Sequence, residues 1–470
     1  MALFPQEFLD SIKAILPAHL TLEDFVAYSS QPLRRSIRVN TLKISVEAFA
    51  ERMSAKGWDL QPVPWCNEGF WIEWDDDQGR LGNTVEHLAG LFYIQEASSM
   101  MPPTALFTHS HAPQKVLDVA SAPGSKTTQI AGRMGNQGLI IANEFSSSRL
   151  KGLHANLQRL GIRNVVMTHF DGRVFGPALP EQFDAILLDA PCSGEGTVRK
   201  DPDAMSNWSL ESTEAIAELQ RDLIESAFAA LKPGGLLVYS TCTLNRIENQ
   251  EVCQHLLERY PDAVTVENLS DLFPGAERAV TPEGYLHLWP QIFDSEGFFV
   301  AALRKTAAIE FPQRKYKLGR FPYLPAKPAD VEAIANHLHQ QLGLTLPEDG
   351  QVMVRDSELW WFPAGLDEWI RTIRMDRMGL KLAEAHKKGF KVFHEAAMAL
   401  ALDSSKAMSL TESEAEQYLM GRDVPRPGET GKGEVIVTCY GTPLGIAKWV
   451  GSRLKNALPR ELVRDKITLR

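Results

Sequence analysis

The sequence predicts an α/β fold built around an open, Rossmann-like sheet of parallel strands, and three stretches carry that prediction. K-V-L-D-V-A-S-A-P-G-S-K-T-T runs from Lys115 to Thr128, I-L-L-D-A-P-C-S-G-E-G from Ile186 to Gly196, and L-L-V-Y-S-T-C-T-L from Leu236 to Leu244. Each is a short apolar run, as suits a strand buried on both faces. Each gives way to small residues, Asp or Cys, at the end where a parallel sheet presents its chemistry. Cys192 and Cys242 sit at two of those ends and mark the expected reaction centre.

Ahead of that sheet, residues 1–95 read as a mixed α/β domain. Residues 5–16 and 22–28 have helical spacing, 46–56 a helix stopped near Gly57, and 74–79 a turn. The segment P-L-R-R-S-I-R-V-N-T-L-K alternates like a strand and carries Arg34, Arg35, Arg38 and Lys43. It is either a phosphate-contacting strand or a solvated edge strand guarded by its charges. Residues 91–103 lead into a helix that covers the next domain.

Strands are then expected at 115–120, 138–144, 164–169, 184–189 and 236–240, with helices near 127–133, 147–160 and 212–231 between them. K-P-G-G, from Lys232 to Gly235, stops the last helix and turns the chain into the fifth strand. Residues 297–304 supply a closing strand. A linker rich in Pro, Lys and Arg occupies 306–330. Beyond it lie an aromatic strand at 359–363, a basic stretch at 377–391, and a hairpin at 433–450 turning at Gly441. The pairs Trp360-Trp361 and Phe298-Phe299 are expected in the core.

A chain of 470 residues exceeds one ordinary core, so two to four domains are expected. Hydrophobic residues at 44% and charged residues at 23% place it among globular proteins. There is no apolar run of about 18 residues and no signal-peptide pattern, so neither a membrane span nor secretion is expected. Five cysteines, odd in number and scattered, predict reduced thiols and a cytoplasmic location rather than a disulfide framework. The 12 histidines lack H-x-x-x-H spacing, and no C-x-x-C occurs, so no metal is expected. Net charge is -10, yet residues 305–470 are slightly basic and the first 304 acidic. That split is compatible with a nucleic-acid-gripping module on an acidic core, or with an ordinary mixed surface.

The first strand runs into Ala120, Ser121, Ala122, Pro123, Gly124, Ser125 and Lys126, small residues that let the backbone approach a ligand. Neither G-x-G-x-x-G nor a phosphate loop is present. Glu144 ends the second strand, where a carboxylate grips ribose hydroxyls. Asp171 follows the third strand and can accept from an adenine amino group, and Asp189 ends the fourth. Singly, each carboxylate reads as a cap or a solvated group. Together, at successive strand ends, they favour a cationic or neutral adenosyl ligand, and S-adenosylmethionine suits them.

D-A-P-C-S-G-E-G and S-T-C-T-L resemble the two signature motifs of the RNA cytosine-5 methyltransferases, the NOL/NOP2/Sun family, and S-A-P-G-S-K-T resembles that family's S-adenosylmethionine motif. The likeness covers about residues 30–305, including R-V-N-T-L-K and Q-E-A-S-S. It implies a class I S-adenosylmethionine-dependent methyltransferase core at 96–305 behind a small N-terminal α/β domain at 1–95. The C-terminal α+β extension is similar to that of bacterial family members acting on 16S ribosomal RNA. It implies a linker and small α/β module at 306–379 and a PUA-like RNA-binding module at 380–470. The implied reaction is methyl transfer to carbon 5 of a cytosine in 16S ribosomal RNA of the small subunit. The same reaction on transfer RNA, and an inactive assembly factor, are the alternatives. An oligomer is not expected.

A thiolate added to carbon 6 makes carbon 5 nucleophilic enough to take a methyl group. The resemblance assigns that thiolate to Cys242, gives Cys192 a role in release of the product, and lets Asp189 hydrogen-bond the base near N3. Cys66, Cys253 and Cys439 are expected in the core. Two segments depart from the family pattern: D-S-E-G-F-F where D-G-F-F is usual, and L-W-P where R-x-x-P is usual. Both are expected to touch RNA. Phosphate contacts are expected from Lys126, Arg199, Lys200, Arg34, Arg35 and Arg38, and from Arg377, Lys381, Lys387, Lys388 and Lys391.

Overall fold

Four sheets follow one another along the chain in a computed structural model that describes residues 4–110, 112–206, 208–387 and 389–469. Two helices, Gln6–Ile15 and Leu22–Ser29, come first, the second started by Thr21, whose side chain accepts from the Asp24 amide. The first sheet contains β1 (Arg35–Val39), β2 (Leu60–Val63), β3 (Cys66–Ile72) and β4 (Phe92–Ile94) in the order β2-β3-β1-β4. The charged segment is therefore an inner strand, and both expectations for it give way at Arg38 and Lys43. The Arg38 guanidinium is 3% exposed and donates to Gln95 Oε1, to the Ser125 carbonyl and, at 2.8 Å, to Thr128 Oγ1. Lys43 Nζ donates to the carbonyls of Ala89 and Arg159 at 2.9 and 3.0 Å. Both cations are used to close the N-terminal sheet onto its neighbour. Arg34 and Arg35 stay at the surface, Arg34 over the Trp71 ring and Arg35 paired with Asp76.

The second sheet is the expected one. Its strands are β5 (Lys115–Asp118), β6 (Leu139–Asn143), β7 (Val165–Thr168), β8 (Phe183–Asp189), β9 (Leu231–Thr241), β10 (Val264–Glu267), β11 (Leu286–Leu288) and β12 (Phe298–Lys305). The order is β10-β12-β9-β8-β5-β6-β7, with β11 paired to β12. Strands β5 to β9 are parallel and β12 is antiparallel to β9. Strand order reverses at β5, so the crevice beyond its carboxyl end is the natural ligand site. The helices Ser125–Arg133, Ser147–Leu160 and Leu210–Ala230 cover the faces, the last begun by a Ser209/Ser212 capping box. Residues 232–235 do not form a turn ahead of β9. They bulge within it, since pairing steps from Phe183↔Leu231 to Ala185↔Leu236. Gly234 takes φ +85° there, and a Cβ on Gly235 would meet the Asp184 carbonyl at 2.8 Å.

Residues 306–323 contain no helix or strand. The third sheet, β13 (Leu324–Pro325), β14 (Gly350–Arg355), β15 (Glu358–Pro363), β17 (Leu380–His386) and β18 (Gly389–Val392), is ordered β13-β14-β15-β17-β18. Strand β16 (Arg377–Met378) leaves it and pairs antiparallel with the edge of β7, extending the central sheet. Because β17 and β18 belong with β13 to β15, the boundary between the two C-terminal modules lies after Val392 rather than at 380. The last sheet spans 408–456, and its hairpin turns at Tyr440–Gly441 as expected. Trp360, Trp361, Phe298 and Phe299 are all buried, as are Cys66, Cys253 and Cys439.

Replacing Arg38 with Ala strands three acceptors where the N-terminal sheet meets the helix after the glycine loop. The cost of leaving buried polar groups unpaired is about 1–3 kcal/mol each, so urea unfolding should register a loss on the order of 3 kcal/mol or more for Arg38→Ala.

Candidate active site

Adjacent strands β8 and β9 end in register, Asp189 opposite Ser240. Just beyond, Cys192 and Cys242 place their sulfurs 3.3 Å apart. The Asp189 carboxylate accepts from Ser240 Oγ at 2.7 Å and from Lys126 Nζ at 2.6 Å. Lys126 is thus a buried partner of Asp189, not a phosphate contact. Burial opposes its charge, but the Asp189 carboxylate outweighs burial and holds the ammonium above its ordinary range. The charge of Cys242 adds to that effect, so Lys126 lies within electrostatic reach of that sulfur. Cys192 is pushed well above the ordinary thiol range by its hydrogen bond with Cys242, then by burial, then by the charges of Cys242, Glu248 and Asp189.

Two buried glutamates that the sequence reading passed over shape the cysteine loops. Glu195 Oε1 accepts the amides of Leu244 and Asn245 at 2.9 and 2.6 Å, and Oε2 accepts Trp208 Nε1 at 2.8 Å. Glu248 accepts the Ser193 amide at 2.9 Å, Gln220 Nε2 at 2.9 Å and Asn245 Nδ2 at 2.8 Å. Each carboxylate thus ties the loop after one strand to the loop after the other. Gly196 completes the clamp: its amide donates to the Cys242 carbonyl at 3.0 Å, and a Cβ there would lie 2.2 Å from the Gly297 carbonyl. The signal in the sequence was the cluster of Asn245, Glu248 and Asn249 directly after an apolar strand.

The loop from Ala120 to Lys126 leaves β5 with Ser121 anchored on the Asn143 carbonyl through both its amide and its hydroxyl, each at 2.8 Å. Gly124 takes φ +104° to start the following helix, and a Cβ would sit 2.8 Å from Leu153 Cδ1. Glu144, 3% exposed, accepts the amides of Ala122 at 3.2 Å and Ser146 at 2.9 Å and lies beside Arg149. Asp171, at the end of β7, is partly open and is held by Arg173 at 2.6 Å. Asp118 is pushed up to about 7, by burial first, and its Oδ1 has no partner. Phe145, next to Glu144, is 72% exposed and offers an aromatic face that the sequence reading did not single out.

Glycine loop, Glu144, Asp171 and Asp189 occupy the ends of four neighbouring strands, spanning about 14 Å at ~4.8 Å per strand. That length and donor set fit an adenosyl group carrying a methionine. Carboxylates suit hydroxyls and amines, Phe145 suits a base, and the one lysine of the loop is neutralised by Asp189, which leaves nothing for a phosphate. Among the described residues, no group of three or more His, Cys, Asp and Glu could hold a metal ion, and no helix is long and apolar enough to cross a membrane.

Several expected RNA contacts lie inside the protein. Arg199 is 1% exposed at its side chain and clamps Gln31, Pro32, Asp294 and Ser295. Trp289, Pro290, Ser295 and Glu296 are buried. Arg377 pairs with Glu395 at 2.6 Å and Lys381 with Glu358. Lys200, Lys387 and Lys391 remain exposed, and Lys388 lies outside the described residues.

Glu296 is 5% exposed and makes no side-chain hydrogen bond among the described residues. Burial, and then the nearby Glu96 carboxylate, raise it to about 8. Glu96 accepts from Ser98 Oγ, the Ser99 amide and the Glu296 amide, so the proton of the pair belongs on Glu296. A raised carboxyl contributes stability that is whole below the unfolded value near 4.5 and is lost as pH rises through about 8. Glu296→Gln removes that titration. Its melting temperature relative to wild type should climb between pH 5 and 8 and then level off. A difference flat with pH would show that Glu296 is already ionised.

Comparison with known proteins points one way. The family model described as 16S rRNA methyltransferase RsmB/F matches residues 105–304, and that of the N-terminal domain of 16S rRNA methyltransferase RsmF matches 4–97. The pre-PUA domain of ribosomal RNA small subunit methyltransferase F matches 323–400, and the methyltransferase RsmF PUA domain 405–464. The chain is 58% identical over 468 residues to the ribosomal RNA small subunit methyltransferase F of Vibrio campbellii, covering 98% of each. A solved methyltransferase homolog protein from Pyrococcus horikoshii is 34% identical with TM-score 0.52, over 64% of this chain and 100% of that one. NSun6 from the same organism, solved with SFG, an analogue of S-adenosylmethionine, is 25% identical with TM-score 0.56, over 64% and 98%.

Proposed function

The chain belongs to the ribosomal RNA small subunit methyltransferase F family, and we propose from that premise that it methylates carbon 5 of one cytosine in 16S ribosomal RNA, within the small subunit in the bacterial cytoplasm. The cofactor is S-adenosylmethionine. The observation that carries the reading of the chemistry is the pair of sulfurs 3.3 Å apart beside the Asp189–Lys126 pair. In this reading Ala120 to Lys126, Glu144 and Asp171 hold the cofactor, and Asp189 stands between it and the target base. When bound, S-adenosylmethionine supplies an electrophilic methyl group on a cationic sulfur.

The target base must leave its stack to reach this crevice. Cys242, as its thiolate, then adds to carbon 6, and the electron pair of the 5,6 double bond is pushed towards carbon 5 and the ring. Lys126 steadies the sulfur's negative charge before attack, and Asp189 hydrogen-bonds the ring near N3. Carbon 5 so activated takes the methyl. Release needs the carbon 5 proton to leave: its electron pair re-forms the double bond, and the carbon 6–sulfur pair departs on Cys242.

Cys192 is placed for that release. Once Cys242 is a neutral thioether, its charge and hydrogen bond no longer hold the proton on Cys192. The Cys192 thiol becomes a better acid, gives its proton to solvent, and as a thiolate can take the carbon 5 proton. Covalent catalysis of this kind divides one hard step into easier ones, and it gives the two cysteines distinct and non-exchangeable roles.

A trapping experiment tests the division. Cys192→Ala, incubated with small-subunit ribosomal RNA and S-adenosylmethionine, should accumulate a denaturation-stable protein–RNA adduct, and adding Cys242→Ala should abolish it. Cys242→Ala alone should lower turnover on the order of 10³-fold or more without weakening cofactor binding. An adduct that persists without Cys242 would reverse the assignment. Methylation of transfer RNA but not ribosomal RNA by wild type would overturn the substrate.

A further inference from the structure

Besides Lys387 and Lys391, the C-terminal half carries exposed cations that the sequence did not place together. A groove of about 580 Å³ lies between the strap at 318–323 and the segment at 370–378. Its charged lining is Arg320, Arg355, Arg371 and Arg374 against the single carboxylate of Asp376. All four arginines are exposed. Arg320 and Arg371 make no ion pair or side-chain hydrogen bond among the described residues, Arg355 lies over the Tyr323 ring at 5.8 Å, and Arg374 stands 3.9 Å from Asp376. Phe321, 37% exposed, adds an aromatic face. Four exposed arginines against one carboxylate in a concavity, a net charge of about three, match the planar, bidentate chemistry of phosphate.

The groove's position gives the match a purpose. Strand β16 pairs antiparallel with β7, and the Asp376 amide donates to the Met167 carbonyl at 3.0 Å. Asp376 therefore lies level with the carboxyl end of β7, the end where the cofactor crevice opens, while residues 371–373 run back to Trp369, which packs on Phe183 at the amino end of β8. The strap reaches the groove from the helix Phe175–Ala178, where the Arg314 amide donates to the Pro177 carbonyl at 2.9 Å, and it carries Arg314, Lys315, Lys317 and Arg320 with no acidic residue from 311 to 323. Five strand spacings separate β16 from β9, about 24 Å at ~4.8 Å each.

We propose that this arginine groove, built from the linker and the module that follows it, holds the sugar–phosphate backbone of the substrate RNA at a distance from the target base. The inference rests on the reading that the substrate is ribosomal RNA and assigns a role to a region that reading leaves without one. The contacts are to phosphate, so they position the RNA without reading its sequence. They act on the RNA before chemistry and leave the cysteines and the cofactor crevice untouched.

The test uses the full-length protein with Arg320→Gln, Arg371→Gln and Arg374→Gln singly and combined, and with the three Arg→Lys counterparts. All sit on the surface, and melting temperature checks folding. Binding of a small-subunit ribosomal RNA fragment is measured against salt. Each lost phosphate contact should flatten the slope of log affinity against log salt by about 0.7–0.9, so the combined Gln variant should lose about two to three units of slope. Its KM for RNA should rise at least about tenfold, with kcat at saturating RNA and cofactor affinity within about twofold of wild type. Lysine should restore most of the slope. An unchanged slope and KM in the combined Gln variant overturns the proposal. So does a variant that binds naked RNA normally but fails on assembled subunits, since the groove would then dock a protein. If wild type binds the fragment without methylating it, the reaction reading fails while the salt slope still judges the groove. If wild type does not bind it, both fall.

Discussion

Two buried carboxylates set the geometry on which everything else depends. Glu195 and Glu248 each sit between the loop after β8 and the loop after β9, and each is satisfied only by donors from both sides or from the helix behind them. A buried carboxylate deprived of its donors is costly, so the two loops have one arrangement in which all these groups are paired. That arrangement is the one with the sulfurs of Cys192 and Cys242 in hydrogen-bond contact. Packing alone specifies a sheet; it is this polar network that specifies where the strand ends put their thiols. The Gly196 amide and the crowding against Gly297 draw the closing strand β12 into the same clamp.

Above that clamp the electrostatics are asymmetric, and the asymmetry is useful. Lys126 is held charged by Asp189 and lies within reach of the Cys242 sulfur, while Cys192 is pushed well above the ordinary thiol range. Two chemically identical side chains are thereby made different by their neighbours. The same logic separates Glu96 from Glu296: one carboxylate collects several donors, the other none, and the proton follows. In both pairs burial and the charge of the neighbour, not residue type, set the two side chains apart.

The central sheet was legible because apolar runs ending in small or acidic residues have few other uses. The strands, the helix at Ser147–Leu160 and the line of Glu144, Asp171 and Asp189 at strand ends lie where periodicity and punctuation put them. What could not be read was the partner of each charge. Arg38, Lys126 and Arg199 look in sequence like phosphate contacts, and only the fold reveals that Thr128, Asp189 and Asp294 lie beside them. Glu195 was quoted within its motif and still missed, because a glutamate in a polar loop gives no sign that it will be buried. The arginine groove escaped for the opposite reason: its residues are dispersed from 320 to 374 and form no local cluster.

Strand β16 is only two residues long, yet it occupies the sole hydrogen-bonding edge that β7 offers. Around it Trp369, Ile373 and Met378 are buried in the same apolar cluster as the strands of the central sheet. The C-terminal half is consequently not a cassette hung on a tether. Cutting the chain in the linker would uncover an open strand edge flanked by apolar surface, a template for edge-to-edge association between molecules. Any shortened form of this protein would be judged as much by its tendency to self-associate as by its chemistry, and the distance from groove to thiols is fixed by a shared sheet rather than by the length of a linker.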